Sequence, residues 1–497
     1  MKSNRRQFLK TTGLAGLGLT GIGSMVKGGN VAKTTKDKEM GLTGLAIAGA
    51  RYDTLASLKV ESSTVSERNH VQVFNMAGYA APKISTVRLG IIGMGNRGTG
   101  NLNTILPIEG VEIKALCDIE IVRAERAAER ARKAGHTPVI YAGSKDEWKK
   151  LCERPDIDLV MVTTPWYMHA EQAVYAMEQG KHVATAVPAA GTLKECWDLV
   201  ETSERTKKHL YMLENIAFCE FQLLTLNMAR KGFFGEVVHC EGAYNSSKMN
   251  NNFSRTMYWD MWWLRQYAWR KGNFYPTHGL GPVAQILNIN RGDRLDYLVS
   301  VETDDFMMEK KARELAQSDD FFRPFVGKDF RGNMNVTTIR TKKGKTIMLQ
   351  HDATSPTPES YIHGIYGTHG AALCYPEPSR ISKGEHRWVS AEEFEKIKAQ
   401  YTPVITPRMR EWAKTSGHGG ADIQEAWRLI DCLRNGFPLD MDVYDAAAWS
   451  SIVPLSEWSV NNRSNSVDIP DFTAGAWKTN PLNMDINLEK CGNTMIK

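Results

Sequence analysis

The sequence predicts a doubly wound parallel α/β domain of the Rossmann type, followed by an α+β domain with an open antiparallel sheet. Three observations carry this. A short apolar run, Val87 to Ile92, breaks into Gly93-Met94-Gly95-Asn96-Arg97-Gly98. Apolar strands then alternate with helical segments as far as Asn215, the pattern of a parallel sheet. Beyond Asn215 that alternation stops.

Val87 to Ile92 suits a strand buried on both faces, and the glycine segment turns from it into a helix. Val111 to Cys117 reads as a strand ending at Asp118, with an Ala/Glu/Arg-rich helix running on to Lys133. The next strand, Ile157 to Thr163, ends in Thr164-Pro165-Trp166-Tyr167-Met168-His169, and a helix covers about 168–179. Then come a strand at His182 to Val187, a helix over 193–207 and a strand at His209 to Leu213, closed by Asn215. In the second domain a helix (218–231) leads to a strand, Glu236 to Tyr244, and an aromatic loop where several of the 13 Trp crowd into 259–269. A hairpin over 334–350 turns at Lys342-Lys343-Gly344-Lys345. Ala421 to Asn435 is an amphipathic helix, and Val443 to Trp458 a largely apolar one.

The first thirty residues read as a signal. Asn4-Arg5-Arg6-Gln7-Phe8-Leu9-Lys10 precedes a mildly apolar, glycine-rich run from Thr11 to Val26, a twin-arginine pattern too short to span a bilayer. The organisation is therefore 1–30 signal, 31–85 linker and surface arm, 86–215 nucleotide-binding domain and 216–497 substrate domain. The signal implies export to the periplasm or the extracellular space, with the twin-arginine translocase as a transient partner. That route carries folded proteins and suits one that takes up its cofactor in the cytoplasm. The formal charge of +6 is spread along the chain, which gives no basic stripe for nucleic acid. Eight cysteines show no CxxC and no metal-ligand spacing, so neither a disulfide framework nor a metal site is expected.

The glycine segment is a dinucleotide fingerprint. Gly93 permits the tight turn, Gly95 lets the backbone approach the pyrophosphate, and Gly98 allows the helix to pack closely on the strand. The helix N-terminus then offers unpaired N–H groups to phosphate. Asp118, at the end of the second strand, can bind both ribose hydroxyls and would repel a 2′-phosphate, which favours NAD over NADP. Strand carboxyl ends are where ligands bind in such sheets; His169, at one of them, either meets the cofactor or caps the next helix.

On these residues the chain resembles the glucose–fructose oxidoreductase, inositol dehydrogenase and MocA superfamily, through the sheet pattern, Thr164-Pro165-Trp166 with His169, and Asn435-Gly436-Phe437-Pro438. More narrowly it resembles glycoside hydrolase family 109, through Asn75-Met76-Ala77-Gly78, the fingerprint, and Asn273-Phe274-Tyr275-Pro276-Thr277-His278-Gly279-Leu280-Gly281-Pro282. The likeness covers roughly 75 to 475. It implies an NAD-dependent α-N-acetylgalactosaminidase working by redox: C3 of the sugar is oxidised, the acidified C2 proton is removed, the aglycone leaves, water adds and the hydride returns. Such glycosidases are exceptions to the paired-carboxylate rule, and the cofactor carries the difficult step.

The resemblance implies NAD contacts at Asn96, Arg97, Asp118, Trp166, Tyr167, Met168, His169, Val187, Pro188 and Asn215. It implies substrate contacts at Tyr244, Tyr275, Pro276, Thr277 and His278. His278 suits proton transfer because an imidazole titrates near neutrality, and Tyr244 is the reserve base. Three positions depart from the family: Ala186 replaces a usual Glu, Trp263 a usual Arg for which Arg265 could substitute, and Glu359 a Tyr expected at the substrate. A small-molecule glycoside or glycan terminus is the expected ligand. The superfamily's open sheet often pairs subunits, so a homo-oligomer is also expected. Two other readings stay open: an NAD-dependent sugar oxidoreductase, and a non-catalytic carbohydrate-binding protein that keeps NAD structurally.

Overall fold

The computed structural model describes residues 68–497 apart from 385 and 415. The twin-arginine segment and residues 31–67 of the arm lie outside the described residues.

Six parallel strands form the first sheet: β1 (Val87–Ile92), β2 (Val111–Asp118), β3 (Val139–Ala142), β4 (Leu159–Val162), β5 (His182–Thr185) and β6 (Leu210–Met212). Their order is β3-β2-β1-β4-β5-β6, so the direction of winding reverses between β1 and β4, the place where such sheets bind dinucleotides. β4 is buried at all four positions, as continuous apolar runs require. β3 escaped the sequence reading because it is a four-residue edge strand with no fully buried position.

The second sheet has eight strands: β7 (Val237–Asn245), β8 (Leu295–Glu302), β9 (Asn335–Thr341), β10 (Thr346–Asp352), β11 (His363–Gly367), β12 (Ala371–Cys374), β13 (Arg380–Ser382) and β14 (Val467–Asp468). The order is β13-β12-β11-β7-β10-β9-β8-β14. The β9/β10 hairpin turns where the sequence placed it. The sheet is mixed rather than wholly antiparallel, since β7 and β10 run parallel. The long chain between these two includes the hairpin partner β9 and gives the crossover that a parallel pair needs. β10 alternates buried and half-buried positions over most of its length, the mark of a sheet with one covered face. Helix Thr277–Ile286 packs on β7, and helix Ile452–Asn461 on β8.

The apolar segment 443–458 is two helices, Val443–Ser450 and Ile452–Asn461. Pro454, in the first turn of the second, has no N–H to give and cannot continue the first. The boundary at 215/216 marks a change of architecture and not a gap. Helix Ala421–Asn435 returns to helix Asn96–Ile105 and β1, and helix Val443–Ser450 to helix Leu193–Thr206 and β6.

The expected free arm is docked from His70 onward. The His70 ring meets Glu204, Gln72 donates to the Tyr444 hydroxyl, Asn75 donates to Asn480, and the Ile84 N–H donates to the Leu433 carbonyl. Each partner lies over a hundred residues away, which is why composition alone read this stretch as linker.

Candidate active site

The fingerprint folds as its glycines demand. Gly93 sits at φ +92°, and a Cβ there would lie 2.8 Å from the Thr163 backbone. A Cβ on Gly98 would collide with the Gly93 carbonyl, whereas one on Gly95 would meet only the Arg123 guanidinium, at 3.8 Å. Gly95 is thus the open side of the cradle, at the start of helix Asn96–Ile105. Asp118 braces this loop: Oδ2 accepts from Met94 N–H at 2.6 Å and Oδ1 from Glu120 N–H at 2.8 Å. Burial nonetheless leaves its pKa above the usual carboxylate value, outweighing these donors. Each oxygen keeps a lone pair for a ribose hydroxyl. Asn215 is buried with Oδ1 lacking any partner, a polar atom that a bound carboxamide or ribose would satisfy. The open Gly95 face and this orphan oxygen fit NAD.

Helix Thr277–Ile286 carries the opposite side. Gly279 lets it lie against β7, since a Cβ there would stand 2.7 Å from the Ala243 nitrogen. His278, on its first turn, is 7% exposed. Its Nδ1 lies 2.8 and 3.0 Å from the two carboxylate oxygens of Glu214, a fully buried residue just past β6. Around the imidazole stand Tyr275, Tyr244 and Tyr361, with ring centroids 4.9, 5.5 and 5.9 Å away. Burial first, then the neighbouring phenols, push the pKa of Tyr244 well above the ordinary value, which works against its use as the reserve base. It stays protonated and can donate. Pro276 precedes the helix and Thr277 opens it with no side-chain cap, and the Thr277 hydroxyl is buried without a partner.

The two sides meet through aromatics and one carboxylate. Trp166, on the single turn Trp166–Met168 after β4, stacks on Tyr275 at 5.1 Å and meets Trp262 edge-on at 4.8 Å. Asp422, near the start of helix Ala421–Asn435, accepts from Asn215 Nδ2 at 2.7 Å and pairs with Arg97 at 3.4 Å and with His418 at 3.0 Å. Burial opposes its ionisation, but the His418 hydrogen bond, the Arg97 and His418 charges and the Asn215 amide prevail and bring its pKa down to about 2. Asn96 reaches the carbonyl of Met257 at 3.4 Å. Half-buried Tyr167 has its phenol pushed up to about 12 by burial.

Several expectations need correcting. The ring nitrogens of His169 lie 2.8 and 2.7 Å from the carbonyls of Pro188 and Thr164. The ring therefore braces the ends of β5 and β4 and has neither nitrogen free to bond a cofactor; it caps no helix with its side chain either. Val187 and Pro188 are buried beside it. Arg265 does not stand in for the missing family Arg, because its guanidinium is held by the Asp260 carbonyl and carboxylate at 2.9 Å each. Trp263 instead stacks flat on Tyr258, at 5.2 Å and 6°. Glu359 accepts from Ser246 and from the Tyr361 hydroxyl, at 3.1 and 3.0 Å, so the phenol near His278 comes from Tyr361, two residues on. Ala186 is buried, its N–H bonded to the Val162 carbonyl.

Sequence reasoning missed Glu214, Asp422 and Tyr361. For Glu214 a signal existed: an acidic residue directly after an apolar strand and beside Asn215. Asp422 and Tyr361 carried none, because their site partners are distant in sequence.

Residues 87–214 match the oxidoreductase family with an NAD-binding Rossmann fold, and residues 219–479 match the glycosyl hydrolase 109 C-terminal domain. A glycosyl hydrolase family 109 protein of Shewanella pealeana is 39% identical over 489 residues, 96% of this chain and 98% of the relative. An alpha-N-acetylgalactosaminidase of Bacteroides fragilis is 46% identical over 411 residues, 81% of this chain and 96% of the relative. Among solved structures, an NAD binding oxidoreductase from Klebsiella pneumoniae has a TM-score of 0.60 at 14% identity, over 78% of this chain and 100% of that one. Levoglucosan dehydrogenase in complex with NADH and levoglucosan has 0.58 at 17%, with the same coverage. Fold and site thus define an NAD-binding protein with a Rossmann domain and a mixed-sheet partner domain. Within that class the chain belongs to glycosyl hydrolase family 109, and it is a glycosidase.

Proposed function

We propose that this chain is an exported α-N-acetylgalactosaminidase that uses tightly held NAD in an elimination–addition cycle. One observation carries the reading: the dipeptide Glu214-Asn215 joins the two halves of the chemistry. Glu214 holds His278, while Asn215 belongs to the nucleotide side, with an unpartnered oxygen. NAD, when bound, supplies a reversible hydride acceptor for C3 of the sugar. His278 Nε2 removes the C2 proton, which exchanges with solvent on the imidazole, and protonates C2 again after the aglycone has left and water has added. Tyr244, kept protonated by burial, donates a hydrogen bond to a sugar oxygen, and Tyr361, whose hydroxyl donates to Glu359, accepts one from a sugar hydroxyl. The Trp166 and Tyr275 rings, stacked on each other, offer an apolar wall for a pyranose face, with Trp262 edge-on beside them. Arg97 and Asn215, tied to Asp422, hold the cofactor side.

The test is incubation of the purified protein with aryl α- and β-glycosides, N-acetylgalactosaminides included, following aglycone and NADH absorbance together. Aglycone release without net NADH supports the cycle. NADH accumulating with an oxidised sugar would make the chain a sugar oxidoreductase, and neither signal across a broad panel would make it a binding protein. Export is tested separately: Arg5→Lys with Arg6→Lys should keep the protein in the cytoplasm. Size measurement in solution tests the expected homo-oligomer.

A further inference from the structure

We infer that Glu214 is a positioning residue for His278, fixing the imidazole as the tautomer protonated on Nδ1 and leaving Nε2 as the atom that takes and returns a proton. This rests on the proton-carrier reading of His278 above. A carboxylate only accepts hydrogen bonds, so the hydrogen in the 2.8 and 3.0 Å contacts belongs to Nδ1. A neutral imidazole has a single N–H, and its lone pair is then on Nε2.

The surroundings are built for this contact. Glu214 is wholly buried, and its Oε1 also accepts from Ile216 N–H at 3.1 Å, which stops the carboxylate from turning. The space it crosses is cut from the facing helix. A Cβ on Gly281 would lie 2.7 Å from Glu214 Cγ, so Gly281 admits the side chain that Gly279 brings within reach by seating the helix on β7. The two glycines of Thr277-His278-Gly279-Leu280-Gly281 thereby have separate tasks, one for the helix and one for the acid.

The decisive variant is Glu214→Gln. Ile216 N–H keeps the amide oxygen at the Oε1 position, 2.8 Å from Nδ1, and the NH2 group takes the place of Oε2, 3.0 Å away, so Nδ1 meets a donor and an acceptor where the carboxylate offered two acceptors. The Nδ1–H tautomer is then no longer fixed, and the share of imidazole that carries its proton on Nε2 cannot accept one. In the comparable arrangement of a serine protease, loss of the orienting carboxylate costs about 10⁴ in kcat through the wrong tautomer. Full-length, NAD-loaded protein labelled with 15N-histidine gives the readout, with the His278 signals assigned by their disappearance in His278→Gln. The expected result is Nδ1–H in the wild type and a raised share of Nε2–H in Glu214→Gln. The variant should also lose kcat in proportion to that share, by up to about 10⁴, with KM little changed and NAD retained; a merely structural acid would not move the tautomer. Glu214→Asp, which keeps the charge, should recover part of kcat and the Nδ1–H signal. Nε2–H in the wild type overturns the inference, and so does wild-type kcat in Glu214→Gln. If Glu214→Gln does not fold, the wild-type and Glu214→Asp spectra decide. If no glycoside is turned over by the wild type, the glycosidase reading fails while the tautomer still decides the role of Glu214.

Discussion

Tyr244 shows how burial decides what a side chain can do. Placed among Tyr275, Tyr361 and His351, its phenol is driven away from ionisation, so proximity to His278 makes it a donor and nothing more. Tyr244→Phe should therefore lower kcat by about tenfold or less, the worth of one hydrogen bond, and leave the pH profile in place. His278→Ala should lower it by at least two decades, the usual share of a positioned acid–base group. NAD should stay bound, because the cradle at Gly93 to Gly98 is built without His278. Solvent deuterium should enter C2 of the product in the wild type and not in His278→Ala. Asp118→Ala should weaken NAD retention and narrow the preference against NADP, with some added loss because Met94 and Glu120 lose their acceptor. At this scale the sequence was informative wherever backbone geometry selects a residue: Gly93 and Gly98 do what their spacing says. It was silent on Asp422, which meets Asn215 across 207 positions and whose value exists only once two elements have met.

Helix Ala421–Asn435 was legible to the residue, because one amphipathic period runs its whole length and Gly436 ends it at φ +67°. β8 was not legible, since Tyr297 and Val301 face solvent and blur the alternation a half-buried strand should show. The start of helix Ala421–Asn435 yields a pH prediction. The pKa of Asp422 is depressed to about 2 in the fold, against an ordinary value near 3.9. A depressed carboxylate contributes stability that is present above its unfolded pKa and lost as pH falls through the folded one. The melting-temperature difference between wild type and Asp422→Asn should thus be full above about pH 4 and vanish towards pH 2. At neutral pH the same variant should release NAD more readily, as Arg97 and Asn215 lose their shared anchor. An unchanged difference across that acid range would mean that the Arg97 and His418 pairings contribute nothing there.

For the molecule entire, the protein should purify with NAD already bound. The cofactor site lies between the sheet end of one half and a helix returning from the other, and mass spectrometry of the denatured supernatant would reveal the nucleotide. A folded, nucleotide-free protein that also failed to take up added NAD would contradict the whole reading. The class of fold was visible in sequence because strand–helix alternation is local. The return of the C-terminal helices onto the first sheet was not, because packing between distant segments leaves no periodic trace. The docked segment of residues 70–84 carries a consequence for timing. Its partners include Leu433, Tyr444 and Asn480, the last of them 405 positions beyond Asn75. A ribosome therefore releases the tongue of this buckle long before it makes the slot. Closure waits until synthesis has passed Asn480, and a chain stopped short of Leu433, and so lacking all three of these partners, should keep residues 70–84 open to a protease while the first sheet resists it.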